Sequence, residues 1–296
     1  MRSYVIVAGL SACAALLAAA CGESERPAGS TTAPSFTSTG GVPDLDGLPD
    51  LTVDAKKLAH SWLIRDEDAS QCSIDEGGVT PGTHRVLRFT ATTPNIGDAD
   101  VFVGNPLDHI TANDGMFEYA TCHDHYHFRH YATYELISQT TGVVVQAAKR
   151  GFCMVDVTPA PGGPPGGKRT YDSCGTRSSP GFQGISAGWA DSYNRVLDGQ
   201  FFVLDEAANP VPPGDYILRI TVNPPFVCGD GDADRPRDPS GLCHLFAEGD
   251  YTNNIGEADV TVPDTVKQNG SGPGLSDALS PDELAGIKTK TSQPHN

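Results

Sequence analysis

The sequence predicts a mainly β protein, an antiparallel β-sandwich with long loops and few short helices. Residues 216–222 alternate between two faces, with Tyr216, Leu218 and Ile220 on one of them, which is the period of a half-buried strand. Similar short runs recur at 85–92, 126–137, 142–147, 152–157, 200–205 and 257–262. The chain has 33 glycines, 23 prolines and no long stretch of helical periodicity, which argues against a helical bundle.

The first 21 residues have the features of an export signal. Arg2 precedes the apolar run 4–20, and small residues stand before a break in the hydrophobic pattern. Residues 17–22 resemble a bacterial lipobox, in which Cys21 becomes the lipidated first residue of the mature protein. We therefore expect an exported cell-surface lipoprotein whose membrane contact is a lipid anchor at Cys21. The alternative is a soluble secreted protein cleaved nearby.

One domain is predicted between two polar ends. Residues 22–45 are rich in Gly, Ser, Thr and Pro and predict a flexible tether. Residues 46–263 form the domain, and this length is ample to bury a core. Residues 264–296 are predicted to be a largely disordered tail with one short helix, which begins at the capping box of Ser280 and Glu283. No chemistry is expected of that helix.

The strong negative charge narrows the classes of partner. The chain carries 20 Lys and Arg against 37 Asp and Glu, a formal net charge of -17. We expect no nucleic-acid partner, because binding to phosphate needs a basic surface. An acidic surface would steer a lysine-bearing substrate by long-range attraction, although the same charge also serves solubility.

Six cysteines remain once Cys13 leaves with the signal and Cys21 carries lipid. An even number in an oxidising compartment predicts disulfides rather than thiolate metal ligands. Six cysteines allow fifteen connectivities, and the sequence alone does not choose among them. A pair of Cys228 with Cys243 would close an acidic, proline-rich loop.

Residues 122–130 contain four of the nine histidines. Alternate side chains of an extended strand share a face, so His123, His125 and His127 would converge on one point. Imidazole suits copper, zinc, iron or nickel, and an all-imidazole set does not choose among these metals. His130 lies outside the alternation and is expected at the rim. The alternative is a solvated histidine-rich strand.

The segment 122–127, Cys-His-Asp-His-Tyr-His, resembles the copper-binding motif of the lysyl oxidase family. The resemblance extends in the family's order over most of residues 46–262. The other segments that carry it are 48–51, 87–89, 149–153, 184–193, 214–218 and 250–254. Each short motif alone is weak, whereas the ordered series is specific.

This resemblance implies a copper site at the three histidines and an organic cofactor, lysine tyrosylquinone, made from two residues of the protein itself. The matching precursors are Lys149, four residues before Cys153, and Tyr193, which closes an Asp-x-Tyr pattern. Asp191 is the expected base that takes a proton from the substrate, and its alternative role is a turn cap. The alternative precursor pair is Lys168 and Tyr171.

The resemblance also implies a second metal site and a disulfide pattern. The positions from which relatives hold calcium are matched by Asp50, Leu51, Glu248, Asp250, Asn253 and Asn254. Oxygen donors suit calcium and would join the start of the domain to its end; the alternative is a polar turn with solvated acids. By the same resemblance Cys122 pairs with Cys174, which leaves Cys72 to Cys153.

Two hypotheses of function follow. The first is a copper- and quinone-dependent amine oxidase that uses O2 to convert peptidyl lysine or other primary amines to aldehydes, with release of hydrogen peroxide and ammonia. The alternative is a non-catalytic copper-binding surface module. Such a module would need only the three histidines, whereas Lys149 and Tyr193 have no obvious purpose in binding alone.

Overall fold

The computed structural model describes residues 46–149, 151–163 and 168–291. The predicted signal and lipobox at 1–21 and the predicted tether at 22–45 lie outside the described residues, as do parts of the glycine-rich loop near 164–167. Within the described ranges, no helix has both the length and the apolar character that crossing a membrane requires.

The described residues form a mainly β fold. The helices are α1 (Ala55–Ser61), α2 (Gln71–Asp75), α3 (Pro106–Ala112) and α4 (Pro281–Thr291), with a 3-10 turn at Pro273–Leu275. The strands are β1 (Leu63–Asp68), β2 (Thr83–Arg88), β3 (Ala91–Pro94), β4 (Val101–Gly104), β5 (Phe117–Ala120), β6 (His125–Arg129), β7 (Ala132–Ser138), β8 (Val144–Gln146), β9 (Gly151–Phe152), β10 (Thr158–Pro159), β11 (Gln183–Ile185), β12 (Trp189–Tyr193), β13 (Phe201–Val203), β14 (Gly214–Val222) and β15 (Ile255–Val262).

The largest sheet has the strand order β15-β14-β7-β8, and all neighbours in it are antiparallel. The alternation of β14 places Tyr216, Leu218 and Ile220 in the core. On the opposite face Arg219 stands across from Glu257 and donates from Nε to its Oε1 at 2.6 Å. One face of this sheet is therefore apolar and buried, and the other carries charge pairs.

Two smaller sheets hold the candidate site. The sheet β10-β12-β3 carries Asp191 and Tyr193 on its central strand, and the sheet β5-β6-β9 carries His125 and His127 on its own central strand. Phe152 of β9 joins the two sheets, because its ring lies edge-on to Tyr193 with 5.1 Å between centroids. The same ring meets Tyr131 and Tyr134 edge-on at 5.4 and 5.7 Å, so an aromatic cluster forms the core beside the site.

The prediction of a mainly antiparallel β fold with long loops and few short helices is confirmed, with the strands divided among five small sheets. Each predicted run overlaps a strand, but run 126–137 is divided into β6 and β7, and run 152–157 shares only Phe152 with β9. The strands β1, β4, β5, β10, β11 and β12 were not predicted from the sequence, and β3 only at its first two residues. Several of these have only two to four residues, which is too short for an alternating pattern to be recognised.

Three disulfides are present in the described part of the chain. The Cys228–Cys243 pair is confirmed, with Cα atoms 5.3 Å apart. The other predicted pairs are wrong, because the structure joins Cys72 to Cys122 and Cys153 to Cys174 with Cα separations of 5.5 and 5.6 Å. Helix α2 brings Cys72 against the start of the histidine segment, and a disulfide forms only where Cα atoms come that close.

The segment from 264 to 291 differs from the predicted largely disordered tail. The predicted helix is present as α4, and its capping box is formed: Ser280 N donates to Glu283 Oε2 at 2.8 Å, and Glu283 N donates to Ser280 Oγ at 3.2 Å. Lys57 holds its first turn by an ion pair to Glu283 at 3.1 Å. The helix packs on β10 and β12. It brings Lys290 Nζ to 2.6 Å from Asp191 Oδ1.

Candidate metal centre and its surroundings

The three predicted imidazoles lie together and are buried. Their ring centroids are separated by 5.5 Å for His123 and His125, 5.2 Å for His123 and His127, and 5.0 Å for His125 and His127. The strand β6 begins only at His125, and Asp124 has a left-handed φ of 52°. His123 therefore reaches its neighbours from a turn, and the extended alternation that the sequence suggested does not explain its position.

Glu76 joins this cluster from α2. Its Oε1 lies 3.3 Å from His123 Nε2 and 3.7 Å from His127 Nδ1. The disulfide between Cys72 and Cys122 fixes α2 beside the histidine segment, which is how a residue 47 positions away comes within reach. The carboxylate is four-fifths buried, and the hydrogen bond to His123 together with the charge of Lys149 holds its pKa below the ordinary value, against the effect of burial.

Burial keeps the rings of His125 and His127 neutral. Burial lowers the pKa of His125 to about 3, and burial likewise lowers the pKa of His127 well below its usual range. The positive charge of Lys149 acts in the same direction on both rings. A neutral imidazole has a free lone pair for a metal ion, so the donor set fits a metal that prefers nitrogen. His130 is exposed at a left-handed φ of 63°, away from this set.

Gly151 allows the backbone of β9 to pass close to His127. A Cβ at this position would lie 2.5 Å from His127 Nδ1 and 2.7 Å from its Cγ. The absence of a side chain at Gly151 is therefore a condition for the observed position of the imidazole.

The predicted quinone precursors meet next to the imidazoles. Lys149 Nζ lies 5.4 Å from the centroid of the Tyr193 ring, and the Tyr193 hydroxyl donates to the carbonyl of Cys153 at 2.6 Å. Burial lowers the pKa of Lys149, with opposition from the charge of Glu76. Burial also raises the pKa of Tyr193 well above its usual range, so the phenol is un-ionised. The alternative pair is not arranged in this way, because Lys168 is exposed and Tyr171 donates to Asp100 Oδ2 at 3.3 Å.

Asp191 is completely buried on β12, two residues before Tyr193. Its Oδ1 accepts from Ser192 N at 2.8 Å and from Lys290 Nζ at 2.6 Å, while its Oδ2 is a buried oxygen without a hydrogen-bond partner. Burial raises the pKa of this carboxyl to about 6, and the charge of Lys290 limits the rise. A residue in the interior of a strand is not a turn cap, so the alternative role suggested for Asp191 is not supported.

Two clefts reach the cluster from solvent. One, of about 390 Å³, has Lys149, Tyr134 and Thr133 in its wall. The other, of about 380 Å³, has His127, Gly151 and Cys122 in its wall. Glu76 and Glu118 line both clefts. The first also has Arg129 and Lys149 in its wall, whereas the second adds Asp75 and is acidic.

The residues matched to calcium positions join the start of the domain to its last strand. Glu248 Oε2 accepts from Leu51 N at 2.5 Å, Asn254 Nδ2 donates to Glu248 Oε1 at 2.8 Å, and Asn253 Nδ2 donates to Asp50 Oδ1 at 2.9 Å. The Oδ1 atoms of Asn253 and Asn254 are buried without a hydrogen-bond partner. Both oxygens are therefore available as ligands for a cation such as calcium.

Asp250 stands apart from this arrangement. It is exposed, and its Oδ1 accepts from Thr252 N and Thr252 Oγ1 at 2.7 Å each. The carboxylate therefore closes its own turn. Its part in a calcium site is the weakest of the matched set.

Comparison with known proteins agrees with this geometry. The Lysyl oxidase family model matches residues 59–261, more than half of the chain. The chain belongs to the lysyl oxidase family. It is 28% identical over 204 residues to lysyl oxidase homolog 4 of Bos taurus, covering 65% of this chain and 24% of that protein. It is also 28% identical to lysyl oxidase homolog 2 of Bos taurus over 227 residues and to lysyl oxidase homolog 1 of Homo sapiens over 223 residues. These matches cover 73% and 71% of this chain and 24% and 32% of those proteins, so the chain spans less than a third of their length.

Two residues near the site of this lysyl oxidase family member were missed by the sequence analysis. Glu76 follows Cys72 by four residues, and a correct assignment of the Cys72–Cys122 disulfide would have pointed to it. Lys290 gave no such signal, because only the packing of α4 brings it to Asp191.

Proposed function

We propose that the chain is a copper- and quinone-dependent amine oxidase that converts peptidyl lysine or other primary amines to aldehydes, with release of hydrogen peroxide and ammonia. Membership of the lysyl oxidase family supports this class of reaction. The observation that carries the proposal is the meeting of Lys149 and Tyr193, with 5.4 Å between Nζ and the ring centroid, beside three buried imidazoles.

His123, His125 and His127 would hold the copper ion. Burial keeps His125 and His127 in the deprotonated form that a ligating imidazole requires, and copper is among the metals that imidazole suits. Glu76 would lie next to the ion and offset part of its charge. Together with lysine tyrosylquinone, the copper would supply the oxidation of a primary amine by O2.

Lys149 and Tyr193 would be the residues from which the quinone forms. The contact of the Tyr193 hydroxyl with the Cys153 carbonyl and the edge-on contact with Phe152 hold the ring in one orientation. Burial lowers the pKa of Lys149, which increases the share of uncharged, nucleophilic amine. A fixed ring and an uncharged amine close to it favour addition of the lysine to the ring.

Asp191 would take up the proton that leaves the α-carbon of the substrate. Its pKa, raised by burial to about 6, lies in the range expected of a general base that works near neutral pH. The unpartnered Oδ2 is the atom that would receive the proton.

The cleft at Lys149 is the proposed route for the substrate. Its wall has Glu76 and Glu118 beside Arg129 and Lys149, so it is the net charge of -17 of the whole chain that favours a cationic amine and disfavours nucleic acid. A lysine side chain of a protein and a small primary amine both satisfy this chemistry.

We further propose that the signal at residues 1–21 directs export, with either a lipid anchor at Cys21 or release as a secreted protein. We also propose a calcium site formed by Asp50, Leu51, Glu248, Asn253 and Asn254, with Asp250 at its edge.

A peptide map of protein expressed with copper tests the proposal. A crosslink should join the peptides that contain Lys149 and Tyr193. Lys149→Ala and Tyr193→Phe should each keep copper yet lose the visible absorbance of the quinone and the release of peroxide with a primary amine. Lys288→Ala, which removes an exposed lysine, is the matched control.

The variants have to be compared at equal copper content, because loss of copper would itself abolish activity. A Lys149→Ala protein that oxidises amines at the wild-type rate would remove Lys149 from the cofactor. Full copper loading with neither crosslink nor peroxide would instead favour the alternative function, a copper-binding surface module.

A further inference from the structure

Lys290, near the end of α4, brings a second ammonium group to Tyr193. Its Nζ lies 3.7 Å from the centroid of the ring and donates to Asp191 Oδ1 and to the carbonyl of Cys153, at 2.6 Å each. The side chains of Lys290 and Asp191 are 4% and 0% exposed. A carboxylate, a carbonyl and an aromatic face around one nitrogen are the contacts that recognise a primary alkylammonium ion.

The helix that delivers Lys290 is held mainly by polar contacts. Its buried residues are Glu283, Gly286 and Lys290, which share one face. Glu283 is paired with Lys57, and Gly286 allows close approach because a Cβ there would overlap the side chain of Val157. A helix that buries few apolar side chains opens at a lower free-energy cost than the core, and the ammonium group of Lys290 would leave with it.

We infer that Asp191, the Cys153 carbonyl and the Tyr193 ring form a binding site for a primary alkylammonium ion, and that Lys290 is its occupant within the chain. Without Lys290, the buried carboxylate of Asp191 lacks a counter-ion, so the site favours another cation of the same shape. The identification of this ion with the amine of the substrate rests on the proposed function, in which Tyr193 becomes the quinone and Asp191 is the base. Helix α4 is then a built-in competitor of the substrate.

The first test uses full-length protein without copper and does not depend on catalysis. Lys290→Ala removes three carbons and the ammonium group, and n-propylammonium contains the same atoms. The variant should have a lower thermal midpoint than the wild type, and n-propylammonium chloride should raise that midpoint again, whereas 1-propanol should not. Lys288→Ala and the double variant Lys290→Ala/Asp191→Asn should show no such response. A folded Lys290→Ala protein that n-propylammonium does not stabilise would overturn the inference.

A second measurement covers the case in which Lys290→Ala does not fold. In copper-free wild-type protein, saturating n-propylammonium should displace Lys290 and accelerate amide hydrogen exchange in residues 281–291, while α1 keeps its protection. Exchange in α4 that is the same with n-propylammonium and with 1-propanol would count against the site.

The copper-loaded enzyme tests the link to the substrate. At equal quinone content, Lys290→Ala should lower KM for n-butylamine at least tenfold relative to Lys288→Ala, and an unchanged KM would refute the role of α4 as competitor. A peptide map with Tyr193 joined to Lys290 would also overturn the inference, because Lys290 would then be a quinone precursor. A third outcome separates the two proposals. If n-propylammonium raises the thermal midpoint of copper-free Lys290→Ala, but the wild-type protein never forms a quinone when copper is supplied, the ammonium site is supported and the proposed function is refuted.

Discussion

A methyl group at position 151 tests the proposed copper site without changing any of its three histidines. In Gly151→Ala the new Cβ would lie 2.5 Å from His127 Nδ1, 2.6 Å from its Cβ and 2.7 Å from its Cγ. Because carbon atoms at optimal contact are about 3.5 Å apart, the imidazole has to move by roughly 0.5–1 Å. Gly151 does not have a positive φ, so the backbone itself accepts alanine.

The magnitude of the effect follows from this displacement. Metal sites tolerate deviations of about 0.2 Å in ligand distance, and the expected shift of the imidazole is larger. Loss of a group that hydrogen-bonds a metal ligand weakens metal binding roughly 10- to 100-fold, and we expect at least this loss of copper affinity. Overpacking of this kind costs about 1–3 kcal/mol of stability. For a domain of this size that cost lowers the thermal midpoint by about 2–12 °C, so the protein should remain folded at room temperature.

The assay is copper per chain after equilibration with a competing chelator, together with the thermal midpoint of the copper-free protein. Gly231→Ala is the matched control, because a Cβ there meets no atom within 4 Å and its φ is not positive. It should behave as the wild type does. A Gly151→Ala protein that retains wild-type copper affinity would show that His127 is not held in this position as a ligand.

The remaining predictions concern the two proposed metal sites. A chain with Ala at His123, His125 and His127 should bind no copper, whereas His130→Ala should keep the wild-type stoichiometry by metal analysis; unchanged stoichiometry in the triple variant would refute the assignment. Calcium at 100 times its Kd should add about 2.7 kcal/mol of stability, and Glu248→Gln should reduce this response. Without calcium, the pKa of Glu248 is raised by burial from 4.5 to about 7, so the folded state binds the proton more tightly and stability should fall as pH rises through this window. A thermal midpoint that does not change with pH between these two pKa values in the presence of chelator would contradict the role of Glu248. A midpoint that does not respond to added calcium would contradict the calcium site.

Local patterns in the sequence were enough to predict the elements that depend on neighbouring residues. The alternation in β14 and the capping box of α4 are both present as predicted, because each is decided within a few positions of the chain. The clustering of His123, His125 and His127 was predicted for a partly different reason. Asp124 adopts a left-handed conformation, so the convergence depends on a turn that the motif alone does not reveal.

Contacts between distant segments were the part that the sequence did not decide. The Cys72–Cys122 disulfide spans 50 residues and depends on where α2 packs, and the resemblance to a family led to different partners. Glu76 reaches the imidazoles only as a result of that packing. Lys290 lies 99 positions from Asp191, and nothing in the composition of 264–296 distinguishes a buried lysine from a solvated one.

The two lysines at Tyr193 have different surroundings, and the difference separates their roles. Lys290 donates to two oxygens at 2.6 Å, one of them a buried carboxylate. Burial lowers the pKa of Lys290 to about 8, and the ion pair with Asp191 opposes this and favours the charged form. Lys149 borders a solvent-accessible cleft, and the largest charge effect on its pKa comes from Glu76, which also faces the imidazoles. A positive metal ion at the imidazoles would repel the ammonium group of Lys149 and would also interact with the carboxylate of Glu76. Both effects would favour the neutral amine of Lys149. Metal binding would therefore activate Lys149 while the charge of Lys290 stays paired with Asp191, although Lys290 is nearer to the ring.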